Sequence, residues 1–286
     1  MTVLAFALVV TSAFMHATWN LLAKRIGGGM AVVWLFSTIA TIIYLPLTIA
    51  ILVIQQPTIG LRELAFLSGT CALHLVYYFL LLRGYRAGDM SLVYPLARGT
   101  GPMLSVFGAV LLLGERPSPV VLVGALLVSL GVFILTGSPL AVRGHKQRAA
   151  IIYGLLTGLS IAAYTLWDAQ AVSILLIPPV FLAWIGNASQ AVALLPVASR
   201  YRDEVRRAWN EHRRAVLGIG VLDSLSYILF LLALQFGSVS LLAPVRQFSI
   251  VIGAFLGARM LSEDASRRRI VAAAVMLAGL LVLLLS

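Results

Sequence analysis

Charge is scarce in this chain, and acid is scarcest. Of 286 residues only 11% are Asp, Glu, Lys or Arg, and only 10 are acidic. Soluble domains run near a quarter charged, so a soluble enzyme and a disordered chain are both poor descriptions. There is one cysteine, Cys71, inside an apolar run. That excludes an intrachain disulfide framework and a cysteine-built zinc site. No G-x-x-x-x-G-K-[ST] occurs, so the chain holds no ATP-driven motor of that type. H-E-x-x-H and G-x-S-x-G are missing as well, which weighs against an intramembrane enzyme. Gly27-Gly28-Gly29 follows no strand pattern and reads as a connection between helices rather than a nucleotide fingerprint. No metal or cofactor is expected. The net charge of +11 would suggest nucleic acid in a soluble domain. Here the basic residues sit in short connections between apolar runs, so no nucleic-acid partner is expected.

What the chain has in abundance is hydrophobic length: 61% apolar residues and a mean hydropathy of +1.01. A membrane helix needs about 20 mainly apolar residues. Ten runs qualify, at 2–22, 31–54, 64–83, 90–113, 119–137, 150–170, 178–198, 215–235, 239–261 and 269–286. The first has no basic start and no A-x-A site, so it is expected to be a retained helix rather than a signal peptide. Only 138–148 and 199–214 are connections long enough to have a character of their own. The connections after spans 1, 3, 5, 7 and 9 carry 17 of the 21 Lys and Arg; the other side has only Arg62 and Arg116. Basic connections stay cytoplasmic. The expectation is an integral protein of a bacterial inner membrane with both termini outside the cytoplasm, its basic loops lying against lipid headgroups.

The two halves repeat. Met15-His16-Ala17-Thr18-Trp19-Asn20 lies over Ala163-Tyr164-Thr165-Leu166-Trp167-Asp168. Trp34 and Pro46 lie over Trp184 and Pro196, and His74 and Tyr78 over Asp223 and Tyr227. Gly88, Ser91 and Pro95 lie over Gly237, Ser240 and Pro244. After a one-residue gap, Arg98, Phe107 and Glu115 lie over Arg246, Phe255 and Glu263. The order never breaks over five spans. Five is odd, so the second half enters the membrane from the opposite side. The fold expected is all-α: ten transmembrane helices as two inverted five-helix repeats, 1–137 and 149–286. Inverted repeats are the architecture of secondary transporters, which rock two halves about a central site.

An ionisable side chain at mid-membrane costs about 2.5–3.5 kcal/mol on insertion scales and needs a reason. At 1.5 Å per residue, the middle third should hold His74, Tyr77, Tyr78, Arg98, Asp223, Tyr227, Arg246 and Gln247. His74 with Tyr78, and Asp223 with Tyr227, are four apart and share a helix face. One reading is a substrate site: Arg98 and Arg246 hold an anionic group, because guanidinium matches carboxylate and phosphate geometry. The other is internal balance, with both arginines permanently paired to Asp223 and Asp168. Pro95 and Pro244 should kink spans 4 and 9. With Gly99, Gly101 and Pro102 following, span 4 is expected to bend or unwind near Arg98. Nearer the surfaces, His16, Trp19 and Asn20 on span 1 and Tyr164, Trp167 and Asp168 on span 6 form two matching groups. They are expected to be paired gates, one per side, rather than an interfacial aromatic belt. His16, His74, Asp168 and Asp223 are the titratable candidates for proton coupling. Small residues four apart, Ala125 with Ser129 and Ala274 with Ala278, permit close packing on spans 5 and 10, within the bundle or between copies.

The ten spans, the opening H-A-T-W-N-L-L-A-K-R from His16 to Arg25, S-L-V-Y-P-L-A-R from Ser91 to Arg98 and L-L-L-G-E-R at 111–116 resemble the drug/metabolite transporter superfamily in its EamA-type ten-helix form. The likeness covers nearly the whole chain, and the opening motif is similar to a subgroup associated with phosphonate use. It implies a transporter rather than an enzyme. Members that carry phosphorylated substrates bind them with basic residues on helices four and nine and a tyrosine on eight, which implies Arg98, Arg246 and Tyr227 here. Many members have cytoplasmic termini, the reverse of what the charge count predicts for this chain. The combined expectation is a non-ATP transporter of a small anionic or zwitterionic metabolite. The alternatives are an exporter of hydrophobic or cationic drugs, with Tyr77, Tyr78 and Tyr94 as an aromatic cage, and an intramembrane enzyme on a lipid headgroup. Oligomeric state is left open.

Overall fold

A computed structural model describes residues 2–27, 29–87, 90–136, 145–261 and 267–285. Among them are twelve helices and no strand: α1 Val3–Ile26, α2 Met30–Gln55, α3 Leu61–Ala87, α4 Met90–Leu112, α5 Pro119–Thr136, α6 His145–Ser173, α7 Pro179–Ala193, α8 Leu195–Arg200, α9 Arg202–Leu234, α10 Val239–Arg246, α11 Phe248–Leu261 and α12 Arg267–Leu284. By length and composition, α1, α2, α3, α9 and Arg148–Ser173 of α6 can each cross a membrane alone; Leu96–Leu112, Pro119–Leu135 and Val239–Gly253 are shorter apolar helices. Large apolar side chains such as Ile42, Leu111, Leu126 and Leu281 are exposed on the outer surface, as a lipid-facing wall requires.

The helices pack as two equivalent halves. The main pairings have counterparts when the repeats are exchanged. α1 packs on α9 as α6 packs on α3. α1 also packs on α10 and α11 as α6 packs on α4. α2 meets α9 as α7 meets α3, and α4 meets α5 as α11 meets α12. α2 with α7, and α5 with α12, pair with their own counterparts. With five spans per repeat, this is the two-repeat, all-α membrane architecture expected from the sequence.

Three spans depart from unbroken helices. Span 7 breaks at Leu194, and Pro196 opens the short α8. Span 8 is longer than its apolar run: α9 begins at Arg202 and kinks at His212 (φ −131°, ψ 23°). The basic 199–214 segment is therefore mostly helical, with Val205 and Ala208 seated on Val32 and Leu35 of α2. Span 9 is split. Pro244 lies inside α10, which ends at Arg246, and the Gln247 N–H closes a tight turn onto the Pro244 carbonyl at 3.0 Å. The local unwinding expected near Arg98 is not there: α4 runs as one α-helix through Gly99, Gly101 and Pro102. The break falls at the second repeat's arginine instead, where the sequence is one residue shorter after the proline.

The small-residue faces also sort themselves. Ala125 and Ser129 are buried, and α5 lies against α12 of the same chain. A Cβ added at Gly131 would come within 2.3 Å of Met276, so the approach is close. On α12 the inward stripe is Ala272, Met276, Gly279 and Leu283. Ala274 and Ala278 are exposed.

Candidate functional site

One cavity of about 200 Å³ runs between the repeats. Its wall includes His16, Trp19, Asn20, His74, Tyr77 and Tyr78 from the first repeat's α1 and α3, with Arg98 of α4. Tyr164, Asp223, Tyr227 and Arg246 come from the second. Along α3 the wall extends from Thr70 to Tyr85, roughly 22 Å at 1.5 Å per residue. Its other limits are Gly29, at the start of α2, and Ala23, near the end of α1. The cavity thus reaches the α1–α2 and α3–α4 end of the bundle, where the basic connections lie. Most of the residues singled out from the sequence are brought to this one place. Gln247 sits behind it, buried at the helix break with its Oε1 unpartnered. Pro95 and Tyr94 belong to α4, but their side chains lie outside the described residues; so do Gly28, Gly88 and Glu263.

Asp168 is fully buried and well satisfied. Thr70 Oγ1 donates to its Oδ1 at 2.6 Å, His74 Nε2 lies 2.9 Å from Oδ2, and the Tyr227 hydroxyl donates to Oδ2 in a short bond. These contacts tie α6 to α3 and α9. Thr70 was not singled out from the sequence, although it sits one turn before His74 on the same face.

The arginines are placed differently. Arg98 Nη2 lies 2.9 Å from His16 Nε2. The Arg246 guanidinium stacks 4.4 Å from the Phe230 centroid and 5.2 Å from that of Tyr227, and its Nε has no hydrogen-bond partner. Asp168 is engaged by His74, Thr70 and Tyr227, and Asp223 forms no salt bridge or hydrogen bond among the described residues. Among the described residues Arg246 forms no salt bridge with Asp168 or Asp223. Tyr164 packs 4.5 Å from His74 and 5.6 Å from Tyr77, and Tyr77 lies 4.9 Å from Tyr78.

The two tryptophan groups differ in state. Trp167 stacks on Phe66 at 4.3 Å and donates to its carbonyl at 2.9 Å, which closes α6 onto α3. Trp19 instead lines the open cavity and donates to His16 Nδ1 at 3.2 Å, while Asn20 donates to the His16 carbonyl at 2.7 Å. Neither indole is a free interfacial ring. Gly69 lets Trp167 seat: a Cβ there would lie 2.5 Å from the indole ring. Gly69→Val should force this face apart. With Cys71→Ser and Leu67→Cys, a buried neighbour that leaves the stacked rings in place, labelling by an impermeant maleimide from that side should rise several-fold; unchanged labelling would mean the seat is not what closes it.

Glu115, singled out only as part of a motif, has a structural task. Gly114 turns the chain at φ 69°, and the Glu115 carboxylate accepts from the Val239 and Ser240 N–H groups at 2.8 and 2.9 Å. It caps the first turn of α10, the half-helix that carries Arg246.

Comparison with known proteins agrees with this architecture. No curated protein matches the chain. Twenty-nine chains of solved structure do. One, described only as a crystal structure of a protein, superposes with a TM-score of 0.76 over 98% of this chain and 96% of its own, at 18% identity. That likeness establishes the fold alone. The sequence model of the EamA-like transporter family matches twice, at residues 3–137 and 148–285, one match to each five-helix repeat. On these two matches, the chain belongs to the EamA-like transporter family.

Proposed function

We propose that the protein is a secondary transporter that moves a small anionic or zwitterionic metabolite by alternating access. The substrate class is an amino acid, an organophosphate or a phosphonate. The observation that carries this reading is a membrane cavity walled by two buried arginines, while the aspartate on the same wall, Asp223, forms no salt bridge among the described residues. Arg246 forms no salt bridge among the described residues and its Nε has no hydrogen-bond partner; a buried charge in that position is expensive, and a substrate of opposite charge supplies a partner. Arg98 and Arg246 take the anionic group and Asp223 takes an amine, with His74, Tyr78 and Tyr227 around them and Gln247 beside Arg246 at the helix break. A cavity of about 200 Å³ is smaller than the roughly 300–1,000 Å³ of drug-sized pockets, which favours a small metabolite.

The repeat supplies the cycle. Asp168 bonded to His74 is the latch on the closed side. Its counterpart in the other repeat is Asn20 with Asp223. That latch is open here: Asn20 is turned onto the His16 carbonyl and Asp223 faces the cavity. In the opposite state Asn20 donates to Asp223, Asp168 releases, and the cavity opens past Trp167. By the distribution of basic residues, the open side here is cytoplasmic and both termini are outside, in a bacterial inner membrane. Protons are the candidate coupling ion, held at the Asp168–His74 pair. No reaction on the substrate is required.

A second reading rests on the ring cluster of Tyr77, Tyr78, Tyr164 and Tyr227 beside Asp223. Such a cluster suits a cationic or aromatic compound, and the transporter would then be a drug exporter. Thermal unfolding of the detergent-purified protein against glycine, glycerol phosphate, aminoethylphosphonate and tetraphenylphosphonium separates the two. A ligand at 100 times its Kd stabilises by about 2.7 kcal/mol. Stabilisation by one of the first three is expected; stabilisation by the lipophilic cation alone would install the second reading.

A further inference from the structure

Two hydrogen-bond donors converge on the imidazole of His16, a buried residue of α1. The Trp19 indole Nε1 lies 3.2 Å from Nδ1, and Arg98 Nη2 lies 2.9 Å from Nε2. Neither partner can accept, since an indole N–H and a guanidinium offer no lone pair. A neutral imidazole has one N–H and one lone pair. It can satisfy Trp19 or Arg98, and at the other ring nitrogen one N–H faces another. A doubly protonated ring satisfies neither and places two cations in contact. No placement of protons on these three residues resolves the arrangement.

An acceptor from outside does. If the ring proton is on Nε2, Nδ1 takes the Trp19 N–H, and an oxygen seated beside Nε2 and Arg98 Nη2 accepts from both. All three residues are on the cavity wall, so a ligand can reach that point. The second repeat has Tyr164 in the place of His16, so this juxtaposition belongs to the first repeat alone. It lies on α1 and α4, whereas Arg246 stacks on the rings of α9.

We propose that His16 and Arg98 form an anion subsite for a carboxylate, phosphate or phosphonate group, with His16 donating from Nε2–H and Trp19 fixing that tautomer. His16 is thus a ligand-binding residue and Trp19 a positioning residue, in addition to any gating role. The proposal rests on the transport reading above.

The test uses the full chain in detergent with inorganic phosphate, methylphosphonate and acetate as probes. Affinity is read by calorimetry and the His16 ring by nitrogen NMR of histidine-labelled protein. The chain has 4 histidines, and His16→Gln identifies the signal. Saturation with the bound probe should move the His16 proton to Nε2. Trp19→Phe keeps a ring but removes the N–H. It should weaken binding about three- to tenfold, as loss of one neutral hydrogen bond does, and return the ring to mixed tautomers. His16→Gln, which keeps an amide donor, should bind better than His16→Leu. An unmoved His16 signal at saturation overturns the proposal. So does wild-type affinity in Trp19→Phe and His16→Leu; if Arg98→Ala then still loses binding, the wider reading stands. Wild-type affinity in Arg98→Ala, or no binding of any probe to the native chain, overturns both.

Discussion

Arg246→Met should abolish ligand binding and yet leave the empty protein as stable as before, or more stable. Arg246 is buried, its Nε is unpartnered, and it rests on Phe230 and Tyr227 rather than on a carboxylate. Methionine keeps the apolar stem and the contact with both rings, and removes a desolvated charge. Exchanging buried ionic groups for packed apolar ones is often neutral or stabilising by about 1–4 kcal/mol. Truncating one partner of a buried, hydrogen-bonded charge pair costs about 2–5 kcal/mol of binding, which is roughly thirty- to several-thousand-fold in affinity. Arg246→Lys should fall between, since an ammonium keeps the charge but not the planar stack or the fork. The opposite signs matter. A structural arginine would give a lower melting temperature in Arg246→Met and no selective loss of ligand. The check is a melting curve of both variants with and without the stabilising metabolite.

Asp168→Asn should be among the most damaging single-atom changes in the chain, and Asp223→Asn among the mildest for stability. Both aspartates lie on the inner faces of spans, yet their partners differ. Asp168 accepts from Thr70, His74 and Tyr227 at once. An amide in its place presents an N–H to one of those donors and loses the charge that holds His74. Breaking a buried pair by removing one partner costs about 3–5 kcal/mol. Asp223 forms no hydrogen bond or ion pair among the described residues and faces the cavity. Its amide variant should melt within a degree or two of the native chain while losing amine-bearing ligands. Side-by-side unfolding of the two variants decides it; equal destabilisation would contradict the division between latch and site.

Much of this was legible in the sequence, for identifiable reasons. Hydrophobic length and an unbroken order of matched residues determine ten spans in two repeats, because a membrane leaves few alternatives to helices. Counting residues along each span picked out His74, Arg98, Asp223 and Arg246, and all four line the cavity. What it did not reveal was partnership. Spacing along one helix shows which residues share a face, but not which helix lies opposite. Hence Asp168 was grouped with Tyr164 and Trp167, when its bonds are to Thr70, His74 and Tyr227. Hence also His16, grouped with Trp19 and Asn20, was not linked to Arg98. Two prolines in matching positions looked equivalent, but only the span with Pro244 is split. That difference depends on the extra residue between Pro95 and Arg98 and on how each end is capped. Glu115 supplies one such cap, and nothing in its local sequence names α10 as the helix it serves.

Vectorial movement tests the central claim most directly. Purified protein is reconstituted in liposomes, and uptake of the radiolabelled metabolite that stabilises it is followed against Arg98→Ala and empty liposomes. The account predicts saturable accumulation of that metabolite, chemically unchanged, inside the native liposomes and at background level in the variant. Binding without accumulation, in either orientation and with or without a proton gradient, or recovery of a chemically altered product, would contradict it.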